Sequence, residues 1–485
     1  MKNYIKENKN KNKLTKGGPG DEYLGGGKVN TIKWFENIDI LENQIKNEEI
    51  WFCSAPFQMM YTNVSGELYP CSWALEGTAP SVRNTGVKEY FHTNTMLKKL
   101  RTEMITPGSP LTLVERVCKN CRHQEKIYGR SRRQASLKIQ TNDKILWPRI
   151  RNMAEGFREN GTVELKERLL EVQVKAFGNQ CNLDCYMCIP YDSTTRMHTM
   201  NSDDLKGEKV FTANSKKIKK KLRKAAIDKV IDDIVDVAPY IYNLKLIGGE
   251  PLVMKKFYTL LERIVESGHA KNIMLKYQTN MSILEFEKIK IAKFIPYFQL
   301  FEFTVSLDGI EEENNYIRRR SNWENIVSNM LHVGLYPNVE ININGTISFL
   351  SVLRFYKLID WAQKNGDDII NQINWSCIRG PEKLCAYVLP QKLKDKLIPM
   401  YEGFPDIQNV LREDNHGIHY QDTLDYLFLI DKRYEGTQWE MHLFDIYPEL
   451  EEFYKPEKTP IEIPIINNLD KSAINIIDWN NTVAL

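Results

Sequence analysis

The stretch Gly178-Asn179-Gln180-Cys181-Asn182-Leu183-Asp184-Cys185-Tyr186-Met187-Cys188 sets three cysteines in C-x3-C-x2-C spacing. It follows directly on residues 172–177, where apolar and polar side chains alternate as they do in a strand. Three thiolates on one short loop suffice for three irons of a cubane cluster and leave the fourth iron open. A structural zinc site instead closes its tetrahedron with four ligands, usually drawn from two short knuckles. The spacing by itself leaves a cluster, a zinc site and unligated thiols all open.

Further polar motifs stand at the ends of apolar segments downstream. Leu244-Lys245-Leu246-Ile247 runs into Gly248-Gly249-Glu250-Pro251, and the next apolar segment ends on Gln278-Thr279-Asn280. A third ends on Ser306-Leu307-Asp308-Gly309, with Tyr316-Ile317-Arg318 shortly after it. A lone Gly-Gly-Glu would mark little more than a turn. In this order, and with the aromatic Tyr186 between the second and third cysteines, the set resembles the signature of the radical S-adenosylmethionine (SAM) superfamily. That resemblance implies a [4Fe–4S] cluster on Cys181, Cys185 and Cys188, with SAM chelated at its open iron. It also implies a cofactor site lined by Tyr186, Gly248, Gly249, Glu250, Asn280, Ser306 and Arg318. Ser306 and Arg318 would hold the SAM carboxylate, and Glu250 would accept a charge-assisted hydrogen bond from its ammonium. The two glycines would let the backbone approach the cofactor closely. One electron, from a donor such as flavodoxin or ferredoxin, would then cleave SAM to methionine and a 5′-deoxyadenosyl radical that abstracts hydrogen from a substrate.

At 485 residues the chain is long enough for two or three domains. Its 42% hydrophobic and 27% charged residues are ordinary for a soluble globular protein, and a net charge of +3 gives no reason to expect nucleic acid. No apolar run reaches the ~18 residues of a membrane span. Met1-Lys2-Asn3-Tyr4-Ile5-Lys6 lacks the apolar core of a secretion signal. Nine cysteines without a signal peptide point to metal or redox chemistry in a reducing cytoplasm rather than to disulfides.

Residues 1–32, rich in Lys, Asn and Gly, read as a flexible tail. From 165 to 390, strand patterns at 172–177, 242–247, 273–279, 301–307, 339–348 and 373–378 alternate with helical ones at 252–267, 284–294, 323–333 and 353–364. Right-handed crossovers between them give an α/β fold with a parallel sheet and helices outside, and all the motifs above fall at C-terminal strand ends; the resemblance implies a partial (β/α)6 TIM-like barrel, with which the strand count agrees. Residues 391–485 read as a mainly helical extension in which no chemistry is evident.

The N-terminal region, 33–145, carries a second cysteine set: Cys53, Cys71 and the knuckle Cys118-Lys119-Asn120-Cys121. With Phe52-Cys53-Ser54-Ala55-Pro56-Phe57 and Gly66-Glu67-Leu68-Tyr69-Pro70-Cys71 around the first two, it resembles twitch, the shortened relative of the SPASM domain. Twitch usually follows the barrel, and here it precedes it, as in a recognised subgroup. The resemblance implies that the four thiolates converge on one auxiliary iron–sulfur cluster, packed on the substrate side. A structural zinc would use the same ligands.

Cys377 and Cys385 read as buried and inert, and His416 and His419 as surface residues. Asp308 reads as shaping its turn. The basic run 216–224 reads as the solvated start of a helix, while Arg130, Arg132 and Arg133 are candidates for an acidic substrate. Twitch and SPASM relatives often modify peptides or proteins, which makes a peptide or protein the first expectation. The alternatives are a small molecule such as a nucleotide or sugar, or a zinc-stabilised binding protein without catalysis.

Overall fold

The computed structural model describes residues 43–45, 47–74, 79–128, 131–201, 222, 224–365 and 369–455. The expected tail, Arg130, most of the basic run and the chain after 455 lie outside these residues. Among the described residues twelve strands follow in chain order. They are β1 (Met59–Thr62), β2 (Leu68–Tyr69), β3 (Leu170–Val174), β4 (Asp184–Cys185), β5 (Ile241–Leu246) and β6 (Met274–Thr279), then β7 (Glu285–Phe286), β8 (Ile289–Lys290), β9 (Leu300–Ser306), β10 (Arg318–Arg319), β11 (Val339–Ile347) and β12 (Ile370–Cys377).

One eight-stranded sheet runs β12-β11-β9-β6-β5-β3-β1-β2, parallel throughout except for the β1–β2 hairpin. From β3 to β12 its strands follow chain order with α-helices in every crossover but the one from β6 to β9, the arrangement of a partial (β/α)6 barrel. All six expected strands are present, their ends displaced by three residues at most. Every second residue is apolar and faces the helices, because a strand exposes alternate side chains to opposite faces. Phe257 of Lys255–Glu266 thus packs edge-on to Tyr277, and Phe355 of Ser351–Asn365 packs on Trp375. The opposite face is polar, with Gln173, Lys245, Lys276, Glu302 and Glu340.

One expectation needs correction. Residues 284–294 do not form a helix but the β7–β8 hairpin followed by single 3-10 turns. Glu287 and Lys288 take φ of 48° and 66°, the left-handed pair that a two-residue hairpin turn requires, and Pro296 then withholds a helical donor. The stretch joining the N-terminal region to the barrel is a 15-residue helix, Leu146–Asn160, stopped by Gly161 at φ 67°. The cysteine-bearing region is also mainly helical, in Val87–Thr93, Thr95–Ile105, Thr112–Val117, Lys119–Tyr128 and Arg132–Asn142. It is not detached, since β1 pairs in parallel with β3 and extends the sheet at its edge.

Beyond 390 the described chain is helical, in Gln391–Leu397, Pro405–Arg412, Tyr420–Tyr434 and Leu443–Ile446. Among the described residues, no helix is long and apolar enough to cross a membrane.

Candidate active site

From the end of β3 the chain turns through Gly178, at φ 134°, into the cysteine loop. There Cys185 and Asp184 form β4, paired antiparallel with β10 so that Arg318 faces Cys185 and Arg319 faces Asp184. Tyr186 N donates to Ile317 O at 3.1 Å and extends the ribbon. The fourth-strand motif is thereby laid directly on the cysteine loop. Arg318 directs Nη1 to Cys185 Sγ at 3.8 Å and Nη2 to Asp308 Oδ2 at 2.8 Å. Asp308 does more than shape its turn, since it is fully buried and its Oδ1 also accepts from Thr346 N at 2.7 Å.

Burial raises all three thiols, Cys181 to about 12, and the charge of Cys185 raises both Cys181 and Cys188. Soft thiol donors beside a guanidinium suit an anionic iron–sulfur cluster, since a neighbouring cation favours thiolate. Among the described residues, no three His, Cys, Asp or Glu side chains gather as ligands of one metal ion.

The Gly-Gly-Glu turn also meets this loop. A Cβ on Gly249 would lie 2.2 Å from Gln180 O and 2.5 Å from Asn179 O. The glycine is therefore required by the cysteine loop itself, whose carbonyls leave no room for a Cβ. Glu250 N donates to Gln180 O at 2.6 Å and locks the two turns together. The Glu250 carboxylate is buried, with Oε1 accepting from Thr279 Oγ1 at 2.8 Å and Leu252 N at 3.0 Å, and Oε2 from Asn280 N at 2.6 Å. Asn280 Nδ2 donates to Asn182 Oδ1 at 2.9 Å, which ties the end of β6 to the same loop. Tyr186 is buried, and its hydroxyl donates to Ser348 Oγ at 2.8 Å and accepts from Leu350 N. Gly248 packs against Met254 and Gly178 O, and Ser306 closes β9 opposite Asn344. The structure thus brings the cysteine loop together with the ends of β5, β6 and β9.

Residues 176–344 match the family model of the radical SAM superfamily. This segment is a radical SAM domain. The chain that carries it is an enzyme, and the domain implies a [4Fe–4S] cluster and SAM. Among solved structures the chain is similar to SuiB of Streptococcus suis, crystallised with the precursor peptide SuiA. Identity is 13% and the TM-score 0.32, over 77% of this chain and 71% of that one. No curated protein matches the chain.

The radical SAM domain is braced by residues that carried no sequence signal for that role. Asp184 is fully buried and bonds to Arg196 Nη1 at 3.2 Å, Thr199 Oγ1 at 2.7 Å and Tyr434 Oη at 2.7 Å. Arg196 Nη2 and Tyr426 Oη both donate to Tyr186 O at 2.9 Å. Arg319 is paired with Asp431, and Asp431 Oδ2 accepts from Leu443 N. Helix Tyr420–Tyr434, in the extension that read as chemically empty, therefore backs the cysteine loop of the radical SAM domain.

Cys53, Cys71, Cys118 and Cys121 pack on one small apolar cluster, built on Trp51, Leu100, Met104 and Val114 and separate from the main core. Burial raises all four thiols, and the charges of neighbouring cysteines of the set raise Cys53, Cys71 and Cys118 further. Backbone N–H groups of Ala55, Trp73 and Arg133 are directed at Cys53, Cys71 and Cys121. Arg133 Nε bonds Glu125 at 2.7 Å with its guanidinium over Trp51, while Arg132 Nη1 bonds Ser72 Oγ at 3.0 Å and lies over Trp73. These are donors and charges that suit an anionic cluster. Burial likewise pushes Cys377 up to about 12 and Cys385 up to about 11. His416 and His419 are exposed.

Proposed function

We propose that Cys181, Cys185 and Cys188 hold the [4Fe–4S] cluster and that the strand ends around them hold SAM. Bound there, the pair supplies a 5′-deoxyadenosyl radical that abstracts hydrogen from a substrate. The β4–β10 ribbon carries the reading, because it sets Arg318 beside Cys185 where a carboxylate next to the cluster needs a cation. Ser306 and Arg318 serve the SAM carboxylate and Glu250 its ammonium. Gly248, Gly249, Asn280 and Tyr186 hold the walls that position it. Residues 33–145 act as a twitch-like module in which Cys53, Cys71, Cys118 and Cys121 hold an auxiliary cluster. The module's location against the barrel's edge strand supports a place beside the substrate. The barrel spans 165–390 and the helical extension 391–485, whose helix Tyr420–Tyr434 braces the barrel. The substrate is a peptide or protein, and electrons come from a flavodoxin- or ferredoxin-like donor in a reducing cytoplasm.

The deciding experiment is anaerobic reconstitution followed by reduction and assay of 5′-deoxyadenosine. Wild type should form it. The triple variant Cys181→Ala, Cys185→Ala, Cys188→Ala should not, yet should retain the iron held by the other four cysteines. Undiminished SAM cleavage in the triple variant would refute the assignment.

A further inference from the structure

The four cysteines of the N-terminal region come from three separate stretches of chain: Cys53, Cys71 and the Cys118–Cys121 knuckle. Ligands from separate stretches are held in place by the contacts around them. Here those contacts meet at two consecutive residues, Arg132 and Arg133, which open the helix Arg132–Asn142. Neighbouring residues of a helix point about 100° apart, so one turn can reach two stretches at once.

Arg133 takes the first stretch and the knuckle. Its Nη1 donates to Phe52 O at 2.8 Å, one residue before Cys53, and its Nε to Glu125 Oε1 at 2.7 Å. Glu125 lies one helical turn beyond Cys121 on Lys119–Tyr128, and its Oε2 accepts from Trp51 Nε1 at 2.7 Å. With side chains only 10% and 12% exposed, Arg133 and Glu125 form a buried pair whose charges cancel.

Arg132 takes the remaining stretch. Its Nη1 donates to Ser72 Oγ at 3.0 Å, one residue after Cys71, and its guanidinium lies over Trp73. Asn120, inside the knuckle, closes the ring by donating to Trp73 O at 3.2 Å. Unlike Arg133, Arg132 makes no ion pair among the described residues. Its charge therefore stays uncompensated, and it favours thiolate at Cys71 and Cys121.

We infer that Arg132 and Arg133 are the positioning pair of the four-cysteine site. Arg133 sets the ligand stretches against one another, and Arg132 adds the charge that raises the site's reduction potential. An anionic cluster becomes more negative on reduction, so a fixed cation beside it favours the reduced form. The inference rests on the auxiliary-cluster reading above and adds to it the residues that assemble and tune that cluster.

The test uses the full chain carrying Cys181→Ala, Cys185→Ala and Cys188→Ala, so that any iron bound belongs to the other four cysteines. Each arginine variant is made in that parent and reconstituted without oxygen. It is read for iron per chain and for midpoint potential by spectroscopic titration. Arg133→Lys keeps a charge for Glu125, but one ammonium cannot copy the guanidinium fork to Phe52 O and Glu125 together. It should match the parent in far-ultraviolet circular dichroism and lose most of the iron. Arg132→Gln should shift the potential of the bound cluster downward, and Arg132→Lys should restore it. Arg116→Gln, which removes the same charge from an exposed residue, should change neither readout. Parent-level iron in Arg133→Lys would overturn the role of Arg133, and an unchanged potential in Arg132→Gln that of Arg132. An equal shift in Arg116→Gln would make the effect one of net charge and overturn the tuning. A parent that binds no iron overturns the auxiliary-cluster reading and this inference with it. A parent that binds iron, matched by every arginine variant, overturns this inference alone.

Discussion

Arg318 stands opposite Cys185 in a two-residue ribbon, with Nη1 3.8 Å from the sulfur while Nη2 closes a 2.8 Å ion pair with Asp308. One guanidinium thus serves a candidate cluster ligand and a buried carboxylate at once, and removing it has two separable effects. Arg318→Ala should cost about 3–5 kcal/mol of stability, because Asp308 is left as an unpaired buried charge. The double variant Arg318→Met, Asp308→Asn removes both charges and should recover most of that loss in thermal denaturation. Its SAM affinity should stay roughly ten- to a hundredfold down, since a charge-assisted contact is worth about 1.5–3 kcal/mol. Wild-type SAM affinity in the double variant would make Arg318 a structural residue only.

Gly249 tests the contact between the two turns. In Gly249→Ala the new Cβ must displace backbone carbonyls, not a flexible side chain. Overpacking of that kind costs about 1–3 kcal/mol and moves the backbone. The expected outcome is a folded chain by far-ultraviolet circular dichroism that loads markedly less iron, the loss falling on the Cys181–Cys185–Cys188 loop. Full iron loading would mean that the loop adapts without losing its ligand geometry.

The C-terminal helix gives a third prediction. Tyr434→Phe removes one hydrogen bond to the buried Asp184 carboxylate and should lower urea stability by about 1.5–3 kcal/mol. Asp184→Asn leaves Arg196 without its counter-charge and should cost more, about 3–5 kcal/mol. An unchanged unfolding midpoint for Tyr434→Phe would show that the extension does not brace the loop.

What could be read in advance follows from range. The six barrel strands and their polar ends were legible because period-two alternation and Gly-Gly-Glu are local. The β7–β8 hairpin was hidden because its left-handed turn is made by Glu287 and Lys288 and not by glycine or asparagine. Asp184 and Tyr434 are 250 residues apart, and no local pattern announces their bond. The polar row from Gln173 to Glu340 needs the register of five strands before its residues become neighbours. Likewise, β1 joins the sheet through pairing with β3, where Lys175 N meets Thr62 Oγ1 across 113 residues.

Glu250 sets a pH dependence whose sign can be worked out. Burial raises its carboxyl from 4.5 to about 7, even though Asn280 N, Leu252 N and Thr279 Oγ1 all donate to it. A folded pKa above the unfolded one means that the folded state binds the proton more tightly. The contribution to stability is therefore full below pH 4.5 and is lost as pH rises through about 7. At 1.36 kcal/mol per unit, the swing is about 3 kcal/mol. The melting temperature of the iron-free chain should accordingly fall between about pH 5 and 8, where this group ionises. Glu250→Gln, which cannot ionise, should flatten that segment of the profile. It should also start from lower stability by about 1 kcal/mol, because its amide cannot accept from both Asn280 N and Leu252 N as the carboxylate does. Scanning calorimetry of both proteins across that range gives the comparison. A variant that keeps the wild-type slope would locate the ionisation in another buried group.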